Sequence, residues 1–294
     1  MYYCVKLKNM WFVILSVICS VTVGIFLKVA KRFQLNIFQI ITFNYFSALL
    51  LTYFTYQPEL TFKEKTIPYS LFIGLAILLP IVFLIQAKSI KEVGIVKTDI
   101  AQRLSLFIPL TASYFLFNET FSQLKIIGFI VGFSAIFFTL NKKSESKSDN
   151  WVYPLLVLFG FGIIDILFKK IAVFKDFSFT TSLFIIFCGA FLISILFLIG
   201  KIQVQKEKLE LKNILWGLAL GILNFGNILF YLKAHKALSE NPSTVFAGMN
   251  MGVIILGSLA GILLFKEKMT KWNYFGILLA IISIIFITLS QLTS

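Results

Sequence analysis

Charge is what this sequence is short of. Only 14% of its 294 residues are Asp, Glu, Lys or Arg, whereas 59% are hydrophobic. A water-soluble domain carries roughly a quarter charged residues to wet its surface, so a soluble globular fold is excluded. Cysteine is scarcer still. Cys4, Cys19 and Cys188 are an odd set, two of them inside apolar runs, which excludes a disulfide framework and a metal-spaced pair. The one histidine, His235, lies at a helix end, so no Ser/His/Asp set is available and no cofactor site is indicated. The segment GIVKT at Gly94 lacks the first glycine and the spacing of a phosphate-cradling loop, which removes an ATP-hydrolysing pump from consideration for this chain alone. Neither an enzyme nor a cofactor is expected.

What is present is a series of apolar runs about 20 residues long, enough for a helix to cross roughly 30 Å of hydrocarbon. Ten are read, at 11–30, 36–55, 69–87, 95–117, 124–140, 151–171, 180–200, 213–232, 243–265 and 274–292. The breaks between them are charged. Lys6 and Lys8 ahead of the first run give it the look of a signal peptide. It lacks a small-residue cleavage site and continues to Lys28, so it is read as the first membrane helix. The net charge of +14 sits in short loops rather than on one face. That pattern suits lipid headgroups and topology signalling, not nucleic acid.

A polar stretch, NKKSESKSDN at 141–150, divides the chain nearly in half. The domains expected are therefore 1–140, the linker 141–150, and 151–294. A shift of 148 residues brings the runs at 95–117 and 124–140 onto the last two without a gap. Lys88 then meets Lys236, Glu92 meets Glu240, Glu119 (LFNE) meets Glu267 (LFKE), and Gly128 meets Gly276. The first and sixth runs align less well, at a shift near 142, LKVAKRF against KKIAVFK. Each unit crosses an odd number of times, five, so the second must enter from the opposite side. The fold class expected is an all-α integral membrane protein with ten transmembrane helices as two inverted five-helix repeats, a plan recurrent in secondary transporters.

Each unit ends in a helix, a short Glu-bearing turn and a Gly-bearing helix: SLFIPLTASYFLFNETFSQLKIIGFIVGFSAIFF and VIILGSLAGILLFKEKMTKWNYFGILLAIISIIF. In this the chain resembles the EamA family of the drug/metabolite transporter superfamily, over its whole length and helix count. The resemblance implies a ten-helix, two-repeat carrier that moves small metabolites, often outward, without hydrolysing ATP. Pro109 stands where the family often has a mid-helix proline. Gly257 stands at the equivalent place in the second half, a departure expected to let the halves bend differently.

Ionisable residues inside membrane helices are costly and are functional candidates by default. Asp99, Gln102 and Arg103 share one helical face. Arg103 would contact a carboxylate with Asp99 orienting it, or the two form a structural pair near the helix entry. Asp165 lies deeper, with Lys169 four residues on. It serves as a coupling-proton or amine site, or it pairs structurally while Lys169 snorkels to the interface. Asn224, Asn227 and Tyr231 share a face, and Asn250 lies on the next helix. Their amides suit a zwitterion or bond between helices. Ser16, Ser20, Gly24 and Lys28 form either a polar stripe leading to Lys28 or a packing seam. Further seams are read at Gly128/Gly132, Gly217/Gly221 and Gly257/Gly261, and Glu119 and Glu267 cap the next helix or hold a gate.

The function expected is a secondary exporter of small polar metabolites such as amino acids, in the bacterial plasma membrane, as a monomer or homodimer. Its partners would be membrane lipids, the small-molecule substrate and protons. The alternatives are a lipid or lipid-linked sugar flippase and a non-transporting scaffold. The odd-numbered loops hold 16 lysines and arginines against 10 in the termini and even loops, which favours termini outside. The resemblance implies cytoplasmic termini, and that is the orientation adopted.

Overall fold

The computed structural model describes residues 2–30, 35–58, 67–93, 95–139, 150–175, 178–266 and 269–293. The described residues form eleven helices: α1 (Tyr2–Ala30), α2 (Ile37–Tyr56), α3 (Tyr69–Val93), α4 (Ile95–Leu104), α5 (Phe107–Phe115), α6 (Gln123–Thr139), α7 (Val152–Ala172), α8 (Phe179–Gln205), α9 (Leu211–Ala237), α10 (Pro242–Phe265) and α11 (Lys271–Thr293). No strand occurs among them. Helices satisfy their backbone groups internally, which is what a hydrocarbon environment demands. α2, α3, α8, α9, α10 and α11 are long and apolar enough to cross a membrane, and Met10–Phe26 and Gln123–Thr139 are shorter apolar stretches. The linker residues 141–149 lie outside the described residues.

The apolar surface faces outward. Phe54, Phe115 and Val204 are 72%, 71% and 82% exposed. The polar groups are inside, including Ser16, Gln39, Asn44, Asn224 and Glu119. This inversion of the soluble pattern fits a lipid-facing exterior.

Helix ends carry a signature of duplication. Four non-glycine residues among those described have positive φ: Gln57 (42°), Asn118 (52°), Lys206 (51°) and Lys266 (50°). They pair across the repeat. Asn118, three residues past the end of α5, and Lys266, the left-handed cap of α10, are 148 positions apart, and Gln57 and Lys206 are the left-handed caps of α2 and α8. Left-handed residues close helices by satisfying late carbonyls. Here glycine is not used at any of the four.

α6 and α11 are equivalent helices, and they pack on each other. A Cβ on Gly128 would meet Ile287, and one on Gly276 would meet Thr139. These two contacts interchange under the 148-residue shift. Each joins the start of one helix to the end of the other, so the pair is antiparallel about a local two-fold. The inverted relation is visible directly in this seam.

The halves are interleaved. α1 packs on α9 and α10, α2 on α8 and α9, and α3 on α7 and α8. Small residues permit close approach. Gly217 and Gly221 of α9 lie against Ile40 and Asn44 of α2. The seam expected at Gly257 is not formed, since nothing lies within 4 Å of a Cβ placed there; the chain at Gly257 faces open space.

The single helix expected over 95–117 is instead two. The break falls at Ser105 and Leu106. Pro109 has no N–H to give the Ser105 carbonyl, and its ring crowds that carbonyl. Ile108 N bonds Ser105 O instead, three residues back, and Leu106 N bonds Arg103 O likewise. The equivalent α10 passes Gly257 without interruption. The halves bend differently, as the proline–glycine difference implied.

Candidate functional site

α7 and α9 finish at the same end of the bundle, where Lys169 reaches the Ser239 carbonyl just past α9, and their last two turns carry a set of polar groups in and beside the core. Asp165 and Lys169 are one turn apart on α7, and Tyr231 and His235 one turn apart on α9. The Tyr231 hydroxyl donates to Asp165 Oδ1 at 2.8 Å. Phe168 stands edge-on to Tyr231, with ring centroids 6.4 Å apart. His235 is fully buried, its ring 4.6 Å from Tyr231 and 4.6 Å from Phe246 by centroids. Neither of its nitrogens has a hydrogen-bond partner among the described residues.

Lys169 corrects two expectations. It makes no ion pair with Asp165, and it does not snorkel, being buried. Its Nζ donates to the Ser239 carbonyl at 2.5 Å and lies 5.8 Å from the Phe117 ring centroid. The reason is competition. Tyr231 engages the Asp165 carboxylate, while the α9–α10 turn offers the ammonium a carbonyl.

The first half closes over this end. Glu119, in the turn after α5, is buried and bonds Lys125 Nζ at 2.8 Å. Its carboxylate also accepts from the Ser243 N–H (3.0 Å) and the Ser243 hydroxyl (2.5 Å), and Lys125 Nζ donates to Asn241 Oδ1 at 3.0 Å. Glu119 was expected to cap the next helix or to hold a gate. Ser122 caps α6 instead, accepting from the Lys125 N–H; Glu119 pairs with the Lys125 side chain and accepts from the first turn of α10, where an anion complements the helix dipole. Glu267 lies outside the described residues.

The second cluster from the sequence is elsewhere. Arg103 Nε lies 3.4 Å from Asp99 Oδ1, with side chains 18% and 34% exposed. Gln102 accepts a bond from Gln86 of α3 at 2.8 Å. Lys97 stands over the Trp151 ring, which places the start of α4 at the start of α7. Asp99 and Asp165 therefore sit toward opposite ends of α7 and do not form one site.

The amides bond between helices. Asn224 Nδ2 donates to Asn44 Oδ1 at 2.7 Å, and Ser16 Oγ donates to Asn227 Oδ1 at 2.8 Å. Asn250 bonds the Phe246 carbonyl of its own helix at 3.1 Å and none of the other candidates. The Lys28 side chain lies outside the described residues.

The site thus keeps Asp165 and Tyr231 from the sequence reading. It adds His235, Lys169, Glu119 and Lys125, whose burial the sequence did not reveal. One signal was available: His235 lies four residues after Tyr231, on the face already singled out. The arrangement offers an acceptor at Asp165 and donors at Lys169 and His235, lined by aromatic rings. It can bind a small polar solute or pass a proton.

Comparison with known proteins is consistent across the chain. The profile of the EamA-like transporter family matches residues 7–141 and again 151–289. An uncharacterized protein of Haemophilus influenzae is 42% identical over 281 residues, covering 92% of this chain and 95% of that one. A solved crystal structure superposes over 98% of this chain and 99% of its own, with a TM-score of 0.75 at 11% identity, a likeness of fold alone.

Proposed function

Because the chain belongs to the EamA-like transporter family, we propose that it is a secondary carrier exporting small polar metabolites, amino acids among them, across the bacterial plasma membrane. Read as ten crossings, with α4 and α5 forming one interrupted span, the chain has both termini on one side of the membrane, and the family resemblance makes that side the cytoplasmic one. Alternating access arises from relative movement of the two inverted repeats around a solute held near Asp165.

The observation that carries this reading is the half-buried Asp165–Tyr231 contact between α7 and α9. A carboxyl group between two membrane helices is costly to keep and is retained where it binds or couples. Neutralisation of Asp165 by a proton or by the solute's ammonium supplies the coupling. Asp99 and Arg103, with Gln102 beside them, serve as an entry point at the opposite end.

The test is solute release from proteoliposomes holding the purified protein, with and without a pH gradient. Gradient-accelerated release of one compound class supports a coupled carrier. If no soluble metabolite moves while a labelled lipid crosses between leaflets, the protein is a flippase instead.

A further inference from the structure

We propose that Lys169 and His235 together form a subsite for a carboxylate group of the transported solute. This rests on the carrier reading above and adds the chemistry of one end of the ligand.

The first argument is the ammonium. Lys169 is buried and makes no ion pair among the described residues. The carboxylates around it are engaged elsewhere, Asp165 by Tyr231 and Glu119 by Lys125 and Ser243. One of its donors is used on Ser239 O. A buried cation without a carboxylate partner is expensive, and an anion that arrives with the ligand relieves that cost.

The second argument is the imidazole. His235 and Lys169 each stand one turn beyond the Tyr231–Asp165 bond, on adjoining helices, and Lys169 reaches the Ser239 carbonyl just past the end of α9. Its two nitrogens are buried with no partner among the described residues. Unmade hydrogen bonds in the interior are rare and each calls for a reason. A carboxylate has two oxygens, and this pair presents an ammonium and a ring N–H to receive them.

The third argument is the wall. Phe117 lies beside Lys169, and Tyr231 and Phe246 lie beside His235, so a carbon skeleton attached to the carboxylate meets apolar surface. The Glu119–Ser243 contact joins the halves beside Lys169. The ligand class is a small aryl or alkyl carboxylate.

The test uses the full chain in detergent micelles, with radiolabelled benzoate as the probe in equilibrium dialysis. Benzyl alcohol and benzylamine, which share its ring, are the competitors. Benzoate should saturate one site, and both competitors should bind at least about tenfold more weakly, the factor one charge-assisted hydrogen bond supplies. Lys169→Gln and His235→Phe should each weaken benzoate by about tenfold or more, whereas Lys169→Arg should retain it. Folding of each variant is checked by its elution and thermal unfolding. Should a variant not fold, the selectivity of the native chain decides. Non-saturable benzoate, equal competition by the alcohol, or unchanged affinity in a folded Lys169→Gln protein overturns the proposal. Flux is read separately. Release of uncharged solutes without benzoate binding overturns the subsite and leaves the carrier; benzoate binding with no flux of any solute does the reverse.

Discussion

Glu119 and Ser243 belong to different repeats, 124 residues apart, yet the carboxylate of one accepts both the N–H and the hydroxyl of the other. Under the 148-residue shift Lys125 corresponds to Asn273 and Ser243 to Ile95. Asn273 bonds the Thr139 carbonyl at 2.7 Å rather than a carboxylate. Glu119→Gln leaves Lys125 buried without its partner. The expected loss is about 3–5 kcal/mol, and Lys125→Met in the same chain should restore much of it. The exposed pair Lys212–Glu210, at 2.9 Å, is the control: breaking it should cost about 1 kcal/mol or less. Thermal or denaturant unfolding of the three proteins in detergent checks the order. Equal effects of the two single substitutions would contradict it.

Asp165→Asn keeps the shape of the side chain and removes its charge. If Asp165 couples transport to protons, the variant's transport rate should become flat over a pH range in which the native rate changes. Proteoliposome flux measured across that range is the check. An unchanged pH profile would move the coupling role to Asp99 or remove it.

The α6–α11 seam should be intolerant of a single methyl group. A Cβ on Gly276 would approach the Thr139 backbone nitrogen to 2.5 Å, and backbone cannot swing aside. Gly276→Ala should destabilise by about 1–3 kcal/mol. Gly24, with nothing within 4 Å, is the contrast: Gly24→Ala should be neutral or stabilise by up to about 1 kcal/mol through helix propensity. Unfolding temperatures of the pair decide.

Pro109→Ala restores an N–H that can bond the Ser105 carbonyl. Amides across the α4–α5 break should then exchange with solvent more slowly. Hydrogen exchange read by mass spectrometry over this segment is the measurement, and unchanged rates would mean that neighbouring helices, not the proline, hold the break open.

Much of this was written in the sequence. Charged breaks delimit the spans because a bilayer penalises charge within them. The repeat was readable because Gly128 and Gly276 both serve one antiparallel seam, where an added Cβ on either meets the other helix closely. Asp165 announced itself as a charge in an apolar run. Its partner did not. Tyr231 is 66 residues away, and only the packing of α7 on α9 brings the two together. Lys169 and His235 stood near helix ends, where sequence alone makes a snorkelling lysine and a wetted histidine the ordinary reading. Their burial follows from the α9–α10 turn and the Glu119 contact folding over them, which no local pattern encodes. The break in α4–α5 was implicit in Pro109, but its position, one turn earlier, follows from where the freed carbonyl lies.

The interleaving of the two halves has a consequence for how this chain is made. Ser16 finds its acceptor on Asn227 and Asn44 its partner on Asn224, 211 and 180 residues later. At ribosomal speeds of about 5–20 residues per second, Ser16 waits roughly 10–40 s for the strand of sequence that satisfies it. During that interval the early helices sit in the bilayer with amide, hydroxyl and carboxylate groups facing lipid or one another. Insertion of the first repeat is therefore not assembly, and a chain truncated after the linker should be a substrate for membrane quality control rather than a working half.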